Sequence, residues 1–534
     1  MYNLYICLKQ KGGIMSLVYL KNKKSGVTYV YECTSFWNKE KKRPDSTRKC
    51  IGKLNPETNE IISSKQSQTE KHTKVYLEPT VATIKTIGPT VLLDHICEKT
   101  GLASILKKSF PEHWNVILSL AYFQTIEGKA LSRVEHWSET HLHPYNEYID
   151  NRRVSELLPT ITEEKQLGFF KKWAEKRLEE EYLAYDITSV SSYSELNNMV
   201  RYGYNRDGES LPQINLAMLF GEKTRLPVYF KSLPGNIKDV STLCNFIKTA
   251  AFLHMGKLHL VMDKGFYSHK NVDEMFSKRM KFTIAVPFSS KFAKEHVERV
   301  REAITEHKYF IKVNDQNLFC ISSLVQWAEE KKRVYVHVFY NASNAIADYE
   351  SFLDNMNRWE NELRDNTLVE DNQKYYDQYF LVKETPKRGK QISYNQPAID
   401  AYKKNAAGYL VLFSNDIKDP VEALKAYRNK DVVEKGFDNL KNRLDMKRLR
   451  VHQEASMKGR LFIQFIALIL VSYIQHVINK QDKFKFGTVS ELLEELELLN
   501  TVKFASHYGQ ITSELTKKQK EIFKAFGLDS KTYV

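Results

Sequence analysis

The apolar run Leu258–Met262 (LHLVM), closed by Asp263, sets the tightest limit on what this chain can fold into. A strand apolar on both faces is covered on both sides, which places it centrally in an α/β sheet. Gly265 permits a tight turn, and the helical pattern NVDEMFSKRM followed by the strand KFTIAVPF completes a β-α-β unit. The same logic appears upstream in EYLAYDITSVSSY. There an apolar strand, Tyr182 to Tyr185, ends in Asp186 and leads into a polar loop of Thr188, Ser189, Ser191 and Ser192. RYGYNRDG supplies a turn at Asp207 and Gly208, and the strands in INLAMLFG and LPVYFKSLPGN complete an antiparallel meander of three. A lone aspartate at a strand end is ordinarily a turn or cap residue. Two buried strands that each deliver an acid are harder to set aside.

A third acid follows much later. Asp419 to Lys447 reads as one long amphipathic helix, with Asp419 as its cap, Pro420 at the first helical position and Glu422 in the first turn. Val433, Phe437, Leu440 and Leu444 form a core-facing stripe, and Tyr427, Lys430, Glu434 and Lys441 form a neighbouring one. The polar stripe is either a solvated face with an i, i+4 ion pair or a face whose acid meets a metal or phosphate. With Asp186 and Asp263 it supplies three oxygen-ligand carboxylates, the donor set that a pair of Mg²⁺ ions requires.

The other segments place this core. Residues 1–75 alternate β-like runs with basic turns. SLVYL is the first strand after a loop-like KQKGG, which makes Met15 an alternative start, and NKEKKRPDSTRKC is either a phosphate contact or a solvated loop. Residues 76–180 turn helical, a compact all-α module whose basic members make it a candidate for recognising DNA ends. In HWSETHLH, His136, His141 and His143 are either polar loop histidines or a zinc site, and no cysteine lies nearby to favour the latter. Residues 181–289 and 410–480 carry the sheet and its helix, and the very polar 290–409 reads as an insertion between them. The apolar run Leu461–Ile478 is interrupted by Gln464, Ser472, Gln475 and His476, which favours a buried core helix over a membrane span. Residues 481–534 are a helical tail whose SELLEELELLN packs on another helix or subunit. There are 80 Lys and Arg against 65 Asp and Glu, a net charge of +15, which favours a polyanionic partner, nucleic acid or an anionic surface. Six scattered cysteines without a CxxC pair give neither a zinc ribbon nor a disulfide framework. The N-terminus MYNLYICLKQKGG has no signal-peptide pattern, so a cytoplasmic protein is expected.

In order, YDITS, GYNRDG with PQINLAMLFG, VMDKGFYS and YRNKDVVEKGFDNLK resemble the DDE transposases of bacterial insertion sequences. The similarity is strongest to the group whose signature is Tyr, two residues, Arg, three residues, Glu, six residues, Lys. Tyr427, Glu434 and Lys441 match that spacing, with Lys430 in place of the arginine and Arg428 two residues earlier. The resemblance implies an α/β multidomain protein with an RNase H-like mixed-sheet core and a long insertion, preceded by a small β-rich and an all-α region. It implies that Asp186, Asp263 and Glu434 hold two Mg²⁺ ions, with Mn²⁺ as a possible substitute, for DNA strand cleavage and transfer. Tyr427, Arg428, Lys430 and Lys441 would grip phosphates near the cleaved end, and Arg443, Lys447, Arg448 and Arg450 would extend that contact. The implied partner is double-stranded DNA, at the element ends and the target, bound by a homodimer with no membrane involved. A repressor that has lost catalysis and a structure-specific nuclease on the same core are the alternatives.

Overall fold

The structure is a computed structural model. It describes residues 6–10, 13–39, 41–63, 82–177, 181–237, 239–252, 258–327, 332–385, 389–405, 407–481, 486–504 and 509–529. The described residues up to Ser63 form one compact unit and the described residues from Ala82 onward a second.

The first unit is an antiparallel sheet in sequential order: β1 (Ile6–Gln10), β2 (Gly13–Lys21), β3 (Thr28–Asn38), β4 (Arg43–Leu54) and β5 (Ile61–Ser63). Two expectations are corrected here. SLVYL is not the first strand, because β1 precedes it and pairs with β2 from Ile6↔Leu17 to Gln10↔Gly13. The basic run after Asn38 is not a loop but mostly strand β4, in ladder register with β3 from Asn38↔Arg43 to Tyr29↔Lys53. Cross-strand pairing supplies the hydrogen bonds that its charged, weakly β-forming residues would not organise by themselves.

In the second unit a short strand, β6 (Ala82–Thr86), leads into six helices between Gly88 and Glu175. The large sheet follows. Its strands β7 (Tyr182–Ser192), β8 (Gln213–Gly221) and β9 (Pro227–Pro234) form the antiparallel meander. The helix Asp239–Phe252 crosses to β10 (His259–Met262), which lies parallel to β7, and the helix His269–Ser277 leads to β11 (Lys281–Ala285), parallel to β10. Counted from β7, the order is 3-2-1-4-5 with the second strand reversed, the RNase H-like arrangement. The sheet does not stop there. β12 (Phe310–Val313), β13 (Gln316–Trp327), β14 (Lys332–Tyr340) and β17 (Tyr409–Ser414) continue it beyond β11 in the order β12-β13-β14-β17-β11. The polar 290–409 stretch therefore divides. Its first part, after the helix Lys291–Val300, is sheet, and the part from Ala342 to Asn405, with helices around the hairpin β15 (Phe380–Thr385) and β16 (Gly389–Tyr394), packs about its own cluster of Phe352, Trp359, Tyr376 and Tyr379.

After β17 come two helices, a two-residue strand β18 (Arg448–Leu449) pairing with β7, and the helix Glu454–Asn479. That helix is long and apolar enough to cross a membrane, yet its apolar residues from Leu461 to Val471 are buried inside the protein. Its Gln464 donates to Gln124 at 2.9 Å within the core. The tail adds the helices Val489–Glu497 and Lys517–Phe526 and the strands β19 (Asn500–Phe504) and β20 (Gln510–Thr512), and β19 pairs with β6. Helical region, sheet and tail share one core running from Ile87 to Leu528.

Candidate active site

Asp186 does not end its strand. β7 continues through Thr188, Ser189, Ser191 and Ser192, all buried, because β8 pairs with it as far as Ser191↔Gln213. Two of the hydroxyls that looked like loop residues are met locally: Arg206 N donates to Ser189 Oγ at 3.2 Å and Asn205 Nδ2 to Ser191 Oγ at 3.1 Å. Tyr185 is the register partner of Met262, the last residue of β10. Asp186 thus stands where its parallel neighbour stops, and Asp263 is the next residue of that neighbour, just before a short 3-10 turn over Lys264–Phe266. Strand pairing alone brings the two acids side by side at the carboxyl end of the sheet, where open α/β sheets place their ligands.

The expected single helix from Asp419 to Lys447 is two helices and a wide turn. Asp419 caps the first, Pro420–Asn429, by accepting from Glu422 N at 2.7 Å. At Lys430 the chain tightens, with Lys430 N bonded to Tyr427 O and Val433 N to Lys430 O, before Asp431–Asp438 resumes. Residues Asn439–Arg443 then widen into a π turn closed by Leu444 N to Asn439 O at 3.0 Å. The apolar stripe still holds: Val433, Phe437, Leu440 and Leu444 are all buried. Gly436 lets the second helix lie on β8, since a Cβ there would sit 2.2 Å from the Phe220 ring.

This break positions the polar residues. Tyr427 donates to Asp263 Oδ1 at 2.8 Å, and Lys430 Nζ bonds Glu434 Oε1 at 3.0 Å. Burial pushes the Asp186 carboxyl up to about 6; its bond from Ile187 N and the charges of Arg206 and Lys430 pull the other way, and Asp263 adds repulsion. Burial acts to lower the Lys430 ammonium, but the Glu434 bond and the charges of Asp263, Glu434 and Asp186 raise it overall. Burial, then the charge and hydrogen bond of Asp263, then Glu434 and Asp186 raise the Tyr427 hydroxyl. One lysine and one tyrosine therefore lie within electrostatic reach of all three carboxylates. A cleft of about 1140 Å³ is lined by Arg206 and by Lys264, the residue after Asp263, from the sheet loops and by Arg358, Trp359, Lys374 and Tyr375 from the inserted helices; none of the three carboxylates lines it.

Residues 178–470 match the family model described as the transposase DDE domain, which spans more than half of the chain. The chain belongs to this family. No curated protein matches it. Among solved structures it is similar to a piggyBac transposase synaptic complex with hairpin DNA, at 11% identity and a TM-score of 0.31, over 76% of this chain and 70% of that one.

The cations expected on DNA in this transposase-family chain occupy varied surroundings. Lys430 bonds one of the carboxylates, Glu434; Arg428 turns away to Gln316 Oε1, at the start of β13, at 2.7 Å. Lys441 is buried and bridges both oxygens of Asp207 at 2.7 Å. Arg448 pairs with Glu209 at 3.0 Å and Arg450 with Asp445 at 3.1 Å. Arg443 bonds Ser490 and, at 2.9 Å, Thr125 O, and burial lowers its guanidinium to about 10. Lys447 is exposed. Sequence reading missed Arg206, Asp207 and Glu209 as neighbours of these groups. Arg206 and Asp207 sit in the GYNRDG loop and Glu209 follows it, and the charge content of that stretch was the available signal. The three histidines of HWSETHLH do not converge: both ring nitrogens of His143 are taken, by Ser119 Oγ and Ser138 O, and burial lowers it to about 4.

Proposed function

We propose that this chain is the Mg²⁺-dependent transposase of a bacterial insertion sequence, acting as a homodimer on the terminal repeats in the cytoplasm, at the nucleoid. In this reading Asp186, Asp263 and Glu434 hold the metal, and the observation that supports it is the contact of Tyr427 with Asp263 at 2.8 Å and of Lys430 with Glu434 at 3.0 Å, with Asp186 and Asp263 brought together by adjacent parallel strands. The donor set fits: three carboxylates offer hard oxygen ligands and no sulfur or imidazole that would favour a softer ion. Two bound Mg²⁺ ions, or Mn²⁺ in their place, would acidify the attacking water or 3′-hydroxyl and stabilise the leaving 3′-oxygen.

The chain's own residues do the rest. Asp186 must shed its proton to serve as a ligand, which its surroundings allow above about pH 6. Tyr427 holds the Asp263 carboxylate in one orientation through its hydroxyl. Lys430 balances the clustered negative charge and is free to turn to a phosphate once that charge is met otherwise. The cleft's arginines, lysines and rings suit a backbone whose bases are partly unstacked. Lys441, Arg448 and Arg450 meet DNA only by exchanging Asp207, Glu209 and Asp445 for phosphate.

Asp263→Ala is expected to abolish cleavage of element ends in Mg²⁺ while binding to terminal repeats stays within about threefold, since phosphate contacts rather than the metal site carry most of that affinity. Retained cleavage sinks the assignment. In the same assay, ends bound but never cut by the unaltered protein indicate a repressor, and ends cut but never joined indicate a nuclease.

A further inference from the structure

Three helices of the second unit end at one place away from the carboxylates described above. Glu127 is the last residue of Trp114–Glu127, Glu497 is the last residue of Val489–Glu497, and His141 is the residue that follows Val134–Thr140. One ligand atom from each, two carboxylate oxygens and one ring nitrogen, lie within 4.8 Å of one another. We infer that Glu127, His141 and Glu497 form a second metal site, for a structural divalent ion of the zinc class, that ties the tail to the helical region.

The electrostatics accept a further cation beside Lys129, which pairs with Glu127, and Lys85, whose charge acts on His141. A helix C-terminus carries partial negative charge, so an acidic last residue is unfavourable there and a cation favourable. Here the ends of three helices converge with two carboxylates among them. Lys129 pairs with one oxygen of Glu127, leaving the other for a ligand.

The imidazole is set up for metal. His141 Nδ1 lies 3.2 Å from Trp137 O and 3.0 Å from Thr140 Oγ1, which places its proton on Nδ1 and leaves the Nε2 lone pair for an ion. A ring nitrogen donating to a backbone carbonyl is the usual support of a metal-bound histidine. Trp137 stacks on that ring at 5.1 Å, and its buried Nε1 has no acceptor among the described residues. Trp137, Glu127 and His141 line one open cleft of about 770 Å³, which gives ion and water access, and a water bound there would satisfy that donor.

The backbone holds the ligands in place. Thr86 of β6 bridges His141 on one side, with Leu142 N donating to Thr86 O at 2.9 Å, and pairs with Asn500 of β19 on the other. His141 and the segment just past Glu497 are therefore clamped to the same strand. One imidazole and two carboxylates suit Zn²⁺, with water completing its shell.

The test uses the full chain, stripped of metal and titrated with Zn²⁺ or Co²⁺. We expect Zn²⁺ to raise the melting temperature and Co²⁺ to give visible ligand-field absorption, both kept in Asp263→Ala. His141→Gln and Glu497→Gln should weaken Zn²⁺ binding by about 100-fold, as loss of ligand support does in metal sites. Because a variant that fails to fold would give no binding for another reason, zinc X-ray absorption of the unaltered protein provides the second measurement, with one imidazole nitrogen expected in the ion's shell. Equal Zn²⁺ affinity in the unaltered protein and in folded His141→Gln overturns the site, as does an oxygen-only shell. Loss of the signal in Asp263→Ala alone assigns the ion to the other carboxylates and also overturns it.

Discussion

Asp186 carries the clearest residue-scale consequence. Its carboxyl titrates near 6 in the folded, metal-free chain against about 4 when unfolded. A raised folded value means that its stabilising contribution is complete below the unfolded value and is lost as pH rises through the folded one. Asp186→Asn should therefore raise the melting temperature of the metal-free protein at about pH 7.5, leave it nearly unchanged at about pH 4, and still abolish cleavage. Metal affinity should fall steeply below about pH 6 as the proton competes for the ligand, which calorimetric titration of Mn²⁺ across that range would reveal. At the neighbouring cations, Lys430 and not Arg428 faces the acids. Lys430→Ala should lower the cleavage rate by about 100-fold, as removal of a single electrostatic stabiliser does, whereas Arg428→Ala should leave it within about threefold.

At the scale of elements, the two helices after Asp419 work because they are interrupted. An unbroken helix would keep Tyr427 and Glu434 on one continuous stripe. The tightened step at Lys430 and the π turn at Asn439–Arg443 let Tyr427 reach Asp263 while Lys441 reaches Asp207. Gly436 is the contact on which the second helix rests. Gly436→Ala improves helix propensity but drives a methyl into the buried Phe220 ring, so a net loss of about 1–3 kcal/mol is expected, with partial recovery on adding Phe220→Leu. Denaturant unfolding of the single and double variants measures both. Lys441 tests a different balance: Asp207→Asn should cost about 1–2 kcal/mol, discounted for the partial exposure of Asp207, and should also free Lys441 for phosphate.

For the whole molecule, the core matters more than the boundaries of the matched domain. Residues 178–470 carry the DDE domain, but the apolar cluster that contains them begins at Ile87 and ends at Leu528. Phe462 packs edge-on against Phe169 at 5.2 Å, and Trp173 Nε1 donates to Pro227 O at 2.9 Å, so helical region, sheet and long helix are held in one body. A fragment of residues 178–470 should accordingly lack a cooperative melting transition and near-ultraviolet circular dichroism, whereas a fragment of residues 82–529 should keep both. Leu468→Ala, fully buried in the long helix, should cost about 2–5 kcal/mol and lower one transition instead of splitting it.

Much of this was legible in the chain itself. The double-faced apolar run before Asp263, the meander after Asp186, the cap at Asp419 and the buried stripe from Val433 to Leu444 depend on local periodicity and capping chemistry, which operate over a few residues. The strand character of Thr188–Ser192 and of Arg43–Leu54 was not legible, because it comes from ladder partners and not from propensity. Nor could spacing show that Lys441 rests on Asp207, 234 residues away, or that Arg428 turns aside to Gln316. The sequence determined which residue types exist to carry the chemistry and in what order they come. Only the tertiary structure decided which of them meet, since pairing across the sheet and the breaks in the last helices set distances that no local rule encodes.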